Sequence, residues 1–210
     1  MKIHDISLTI HNGMAVYKDK PEKKPHIRRT RTLEEGSNES TLFLESHTGT
    51  HMDSFYHMLA NGKKIHEISL DKCIGEAIVI DCTKIKGGIT EGDLSKHSRL
   101  ISKNSIILLK TRTKPMRSFD FNFTYLEKSG AAFLAKKGIK AVGIDQLGVE
   151  RNQPNHDTHE ILFKRGIVVF EGLELGAIRQ GSYFFIGLPL KIKDGDGSPA
   201  RCALIEGLKK

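Results

Sequence analysis

The chain has no tryptophan, only three cysteines and no apolar run long enough to span a membrane. Cys73, Cys82 and Cys202 are odd in number, scattered and without a C-x-x-C pair. That pattern excludes a disulfide framework and a zinc knuckle, and fits isolated thiols in a reducing cytoplasm. The opening Met1-Lys2-Ile3-His4-Asp5 lacks the apolar core of a signal peptide, so a cytoplasmic location is expected. Without tryptophan, an aromatic shelf for a substrate must come from Phe, Tyr or His. Tyr17, Phe43, Phe55 and Tyr56 are the candidates, and each reads equally well as a core residue. Internal repeats and linker-like stretches are missing too. At 210 residues, with 38% hydrophobic and 28% charged, residues 1–210 are expected to form one domain around one core.

Charge is present in excess of one sign: the formal net charge is +8. Lys23-Lys24, Arg28-Arg29-Arg31 and Lys209-Lys210 would suit phosphate contacts. Acids such as Glu34-Glu35 interrupt the basic residues, and no helix-turn-helix, zinc-finger or aromatic RNA-binding signature accompanies them. A solvated basic surface explains them better than a nucleic-acid partner. What remains for the excess is attraction of an anionic substrate or product.

Residues 3–10 alternate as a short strand, and 26–33 with 41–47 read as a hairpin around a polar loop. In the second arm Phe43, Glu45 and His47 share a face, which would bring His47 to the strand end with further polar residues in the turn beyond. Four apolar, β-branched runs (76–83, 105–113, 141–146 and 167–173) read as buried parallel strands. A helix opens at Thr124 with a capping-box pattern and stops at Gly138. A second, capped by Asp157, runs to Arg165 before Gly166, and 90–97 gives a short third. Late strands are expected over 183–192 and 200–205. The order describes a mixed α/β fold.

The densest chemistry lies in S-H-T-G-T-H-M-D-S-F-Y-H, Ser46 to His57. Imidazole and carboxylate are the usual protein ligands of zinc, manganese and related divalent ions. Gly49 allows the tight path that would let His47 and Asp53 converge. A His-rich surface loop is the plain alternative, and the crowding of His47, His51, Asp53 and His57 weighs against it. Elsewhere, His156, His159 and Glu171 carry no such signal: a surface histidine and a strand-end glutamate would be ordinary.

The segment His47–His57 resembles the H-x-G-T-H-x-D-x-P-x-H signature of the cyclase family of metal-dependent hydrolases, which includes kynurenine formamidases and isatin hydrolases. Asp5-Ile6-Ser7-Leu8, Gly13-Met14-Ala15-Val16-Tyr17, Leu188-Pro189-Leu190-Lys191 and Gly195–Arg201 resemble its opening and closing segments, so the likeness spans nearly the whole chain. It implies a swivelling β/β/α architecture with a mainly parallel sheet and a second, antiparallel sheet. It implies two divalent ions, zinc or manganese, one on His47, His51 and Asp53 and the other on Asp53, His159 and Glu171. Asp53 would bridge them, His57 would be the acid/base, and His159 rather than His156 would be the ligand. The implied reaction is hydrolysis of a small amide, N-formylkynurenine to kynurenine and formate, by a homodimer or dimer-based tetramer.

Two departures bear on the substrate. Phe55 replaces the signature proline, and Leu147-Gly148-Val149-Glu150 stands where relatives often show Ser and Asp. A family hydrolase opening an isatin-type cyclic amide, or cleaving an ester or lactone, therefore stays open. A non-catalytic metal-binding protein is disfavoured, because every expected ligand and His57 are present.

Overall fold

The computed structural model describes residues 1–208; Lys209 and Lys210, noted for their charge, lie outside the described residues. In chain order the strands are β1 (Lys2–Asp5), β2 (His26–Arg31), β3 (Glu39–Phe43), β4 (His51–Asp53), β5 (Ile74–Asp81) and β6 (Gly88–Ile89). They continue with β7 (Ile106–Lys110), β8 (Tyr125–Leu126), β9 (Ala141–Ile144), β10 (Val168–Glu171), β11 (Gly181–Pro189) and β12 (Gly197–Glu206). The α-helices are α1 (Glu91–Ser95), α2 (Lys128–Lys137) and α3 (Asp157–Lys164).

The four apolar runs do become parallel neighbours, in the order β5-β7-β9-β10. They do not form a separate, mainly parallel sheet. The long β12 pairs with β11 along one edge and with β4 along the other, and β4 also pairs with β10. With β11 beside β5, seven strands close into a mixed barrel-like sheet, and β1 extends it on β12. Closure removes the exposed edges that an open sheet would present. Among the described residues, the independent antiparallel unit is the β2–β3 hairpin. Sequence periodicity shows which strands are buried on both faces, but not that antiparallel strands join the same sheet.

The interior is filled by Ile106–Leu109, Ile78–Ile80, Val142, Phe170, Phe185 and Leu204, all at or near full burial. Helix α2 packs against α1 and α3, and α3 lies on β10. Helix α2 starts later than the sequence suggests. Thr124 Oγ1 donates to the Ile85 carbonyl, Tyr125–Leu126 pairs with β6, and Glu127 caps the helix by accepting from the Ser129 N–H. Gly138 ends it in the left-handed conformation, as expected. At the start of α3 the cap position falls on His156, itself left-handed at φ 54°, rather than on Asp157.

All three cysteines are buried, and burial pushes the Cys73 thiol up to about 11 and that of Cys82 to about 12. No helix among the described residues is long and apolar enough to cross a membrane.

Candidate active site

The strand that carries the site is three residues long. β4 sits between β10 and β12, with His51 opposite Glu171 and Asp53 opposite Gly197. Alternation puts His51 and Asp53 on one face and Met52 on the other, in the core. His51 and Asp53 therefore lie on a strand rather than in a turn, and His47 lies in a turn four residues beyond the end of β3.

Two glycines make the convergence possible. At Gly172 (φ +66°) an added Cβ would lie 2.3 Å from the Gly49 carbonyl oxygen, so the chain leaving Glu171 crosses the His47–His51 turn at backbone contact. At Gly197 an added Cβ would meet His47 Cε1 at 2.8 Å; the imidazole occupies the space a side chain would take. Thr50 locks the crossing, with its hydroxyl donating to the Gly172 carbonyl and accepting from the Leu8 N–H, and its own carbonyl accepting from the Ala200 N–H.

Around Asp53 the expected residues come together. His47 Nδ1 is 2.9 Å and His51 Nε2 3.4 Å from Asp53 Oδ1, while His159 Nε2 is 3.5 Å from Oδ2. Glu171 completes the ring, with Oε2 3.4 Å from His51 Nε2 and Oε1 3.6 Å from His159 Nε2. Each imidazole is anchored through its other nitrogen. His51 Nδ1 donates to the Gly49 carbonyl (2.9 Å), His159 Nδ1 meets Glu150 Oε1 (2.8 Å) and His47 Nε2 meets Asp196 Oδ2 (3.0 Å). Such outer partners fix ring orientation and turn the other nitrogen of each ring toward the two buried carboxylates.

Three of the inner atoms are unpartnered. His51 Nε2, Asp53 Oδ2 and His159 Nε2 are fully buried and make no hydrogen bond, although buried polar atoms are almost always partnered. Donor atoms of His47, His51 and Asp53 lie within 4.8 Å of one another, as do those of Asp53, His57 and His159. The residues fit a divalent-metal site on this geometry, by donor type and by their unmet bonding capacity.

Electrostatics agree. Burial disfavours charge throughout, yet Asp53 and Glu171 hold His51 up to about 10, and Asp196 with Asp53 hold His47 up to about 9. Burial also opposes ionisation of Glu171, as does the charge of Asp53, but His159 and His51 hold it down to about 2. The two buried carboxylates demand positive charge beside them, which protons or a cation can supply.

His57 stands apart. Its ring centroid is 4.2 Å from that of His47 and 5.9 Å from that of His159, and its Nδ1 is 3.9 Å from Asp196 Oδ2. Burial lowers its pKa, the opposite direction to the three anchored histidines. A neutral imidazole beside the cluster is suited to accept a proton.

With Phe55 at the position of the signature proline, residues 55–57 form a short turn. His57 N–H donates to the Ser54 carbonyl (3.1 Å) and Leu59 N–H to that of Phe55 (2.9 Å). Phe55 is buried against Phe163, 5.6 Å between centroids, and Phe163 in turn abuts the His159 ring. Of the four aromatic candidates only Tyr17 lines the cavity of about 420 Å³ above the cluster; Phe43 and Tyr56 are exposed.

Three contributors lay outside the sequence reading. Glu150 appeared there only as a departure, Asp196 only as part of a closing segment, and His156 as a rival to His159. In the structure Glu150 accepts from both His156 (2.7 Å) and His159, and from the Thr158 N–H (3.0 Å).

Residues 4–151 match the family model described as "Putative cyclase". The chain is 30% identical over 204 residues to the kynurenine formamidase of Bacillus mycoides (strain KBAB4), covering 95% of each. It is similar to a solved structure described as a potential metal-dependent hydrolase with cyclase activity, at 38% identity and a TM-score of 0.87, covering 97% of this chain and 96% of that one. Isatin hydrolase A from Labrenzia aggregata shares the fold, with a TM-score of 0.85 at 23% identity over 97% and 93% of the two chains.

Proposed function

The chain belongs to the cyclase family, and from that premise we propose that it is a metal-dependent hydrolase of a small amide, most specifically an arylformamidase. The observation that carries the proposal is the set of buried, unbonded atoms His51 Nε2, Asp53 Oδ2 and His159 Nε2 facing one another below a cavity. His47, His51 and Asp53 would hold one divalent ion, and Asp53, His159 and Glu171 a second, zinc or manganese by donor type. Bound there, such ions supply Lewis acidity, which activates water and polarises a carbonyl.

The remaining work falls to the chain. His57 takes a proton from the attacking water and returns it to the leaving amine, which departs from a tetrahedral carbon only once protonated. Asp196 keeps the His47 ring oriented, and its carboxylate lies 3.9 Å from His57 Nδ1. For N-formylkynurenine the products are kynurenine and formate; likeness to the formamidases over 95% of both chains supports that choice.

A homodimer is part of the proposal. Leu33, Leu42 and Phe43 on and beside the β2–β3 hairpin are exposed, and an isolated two-stranded hairpin is marginal in water unless something covers it.

The test is hydrolysis of N-formylkynurenine by protein stripped of metal and reloaded with zinc or manganese. Turnover that returns with metal supports the formamidase. No turnover in metal-loaded protein moves the reading to an isatin-type cyclic amide, an ester or a lactone.

A further inference from the structure

The mouth of the cavity is built on backbone that side chains rarely adopt. Lys18 (φ 58°) and Asp19 (φ 49°) are consecutive left-handed residues without being glycine, and so are Asn155 and His156, the second of which also lines the cavity. Such conformations persist where surrounding structure enforces them, and they gather at ligand clamps. Here the enforcement is visible. Asp19 Oδ1 accepts from the Phe119 N–H (3.2 Å), and the Tyr17 ring stands edge-on to Phe119 at 5.0 Å. Gly148 leaves room for Tyr17, whose Cε2 would lie 3.2 Å from an added Cβ. The turn is thus pinned on both sides of Lys18.

Three lysines line this cavity, and they are not equivalent. Lys23 is paired with Glu45 at 2.8 Å, and Lys20 lies 3.8 Å from Glu22. Lys18 has no carboxylate partner among the described residues; its Nζ lies over the Tyr17 ring, 5.3 Å from the centroid. The acids on the cavity wall cannot serve it, since Glu45 holds Lys23, Glu150 takes both His156 and His159, and Glu171 belongs to the inner cluster.

We propose that Lys18 is a specificity residue of this site, selecting small amides that carry an anionic group remote from the scissile carbonyl. A cation held by a pinned turn over an aromatic face is pre-organised to receive a carboxylate entering the mouth, at little further ordering cost. The excess of basic charge over the whole chain acts in the same direction.

The kinetic arm of the test rests on the hydrolase reading above, and a binding arm does not. Metal-reloaded wild type, Lys18→Met and Lys18→Arg are compared on N-formylkynurenine and on 2-formamidoacetophenone, which lacks the amino-acid group. In Lys18→Met the KM for the former should rise about three- to tenfold relative to that for the latter, with kcat ratios held and Lys18→Arg restoring the preference. Equal changes on both substrates, or none, overturn the proposal.

If wild type hydrolyses neither, the formamidase reading fails while Lys18 is still decided by calorimetric titration. Benzenesulfonate, an anion that is a poor ligand for divalent metals, is set against neutral methyl phenyl sulfone. Tighter binding of the anion by wild type, erased in Lys18→Met, upholds the proposal. Equal binding of the two by wild type, or a preference that survives in Lys18→Met, overturns it.

Discussion

Two buried ionic clusters sit at the ends of neighbouring strands, and they differ in how completely their polar atoms are bonded. Just beyond β9, Asp145 is fully buried and saturated: its carboxylate accepts from the Thr111 N–H (2.9 Å), the Thr111 hydroxyl (2.5 Å) and the Arg112 N–H (3.2 Å). Arg112 Nε donates to the Asp145 carbonyl (2.7 Å), its NH1 donates to Glu174 (3.2 Å), and Gln146 donates to Thr111 Oγ1 (2.6 Å). At the end of β10, the Asp53–Glu171 cluster is as buried, yet three of its polar atoms bond to nothing. Burial is common to both. The unmet bonding capacity marks the cluster shaped for a ligand, whereas the saturated one holds loops to the barrel.

The largest effect should come from emptying the open cluster. Asp53→Asn should abolish metal binding, read by metal analysis after reloading, and reduce turnover to background. His57→Ala should keep the metal and lower kcat by about 10²- to 10⁴-fold. Retained activity in His57→Ala would remove it from the acid/base role.

The saturated cluster should behave the other way. Asp145→Ala leaves the Thr111 and Arg112 donors without acceptors and should cost about 2–3 kcal/mol at pH 7 by urea unfolding, with metal content unchanged. Burial raises Asp145 to about 6, so the folded state binds this proton more tightly than the unfolded chain. Its contribution to stability is therefore greatest at acid pH and declines as pH rises from about 4 to about 6. The gap between wild type and Asp145→Ala should narrow over that window and stay constant above it; a gap that widens with pH would contradict the assignment.

Gly172→Ala probes the join between the clusters. Its Cβ would drive into the Gly49 carbonyl and occupy a left-handed position, for a loss of about 2–3 kcal/mol together with weakened metal binding. Smallest is the effect of thiol reagents. With buried thiols raised to about 11 and 12, Cys73 and Cys82 should label at pH 8 only as fast as the protein opens, and rapid native labelling would contradict their burial.

The difference between the clusters also explains what could be read in advance. His47, His51, Asp53 and His57 were legible because one short segment carries them. His159 and Glu171 came only through resemblance, since the β4–β10 pairing brings in Glu171, helix α3 packed on β10 brings in His159, and local spacing encodes neither. Strand β4 itself read as a turn: only three residues long, it turns two polar side chains toward the site and one apolar side chain toward the core. Asp196 and Glu150 escaped because an outer carboxylate has no signature of its own; what signals it is the imidazole that it meets. Phe55 raised a question of pocket shape that the structure answers with core packing against Phe163. The parallel quartet was legible from its apolar runs, whereas barrel closure through β12 was not, because a strand paired on both edges looks in sequence like one paired on a single edge.

The most direct test of the account is anomalous diffraction from crystals of the chain reloaded with zinc or manganese, recorded at the absorption edge of the metal. Two peaks are expected to flank Asp53, one contacting His47 and His51 and the other His159 and Glu171. No peak at this cluster in fully reloaded crystals would contradict it.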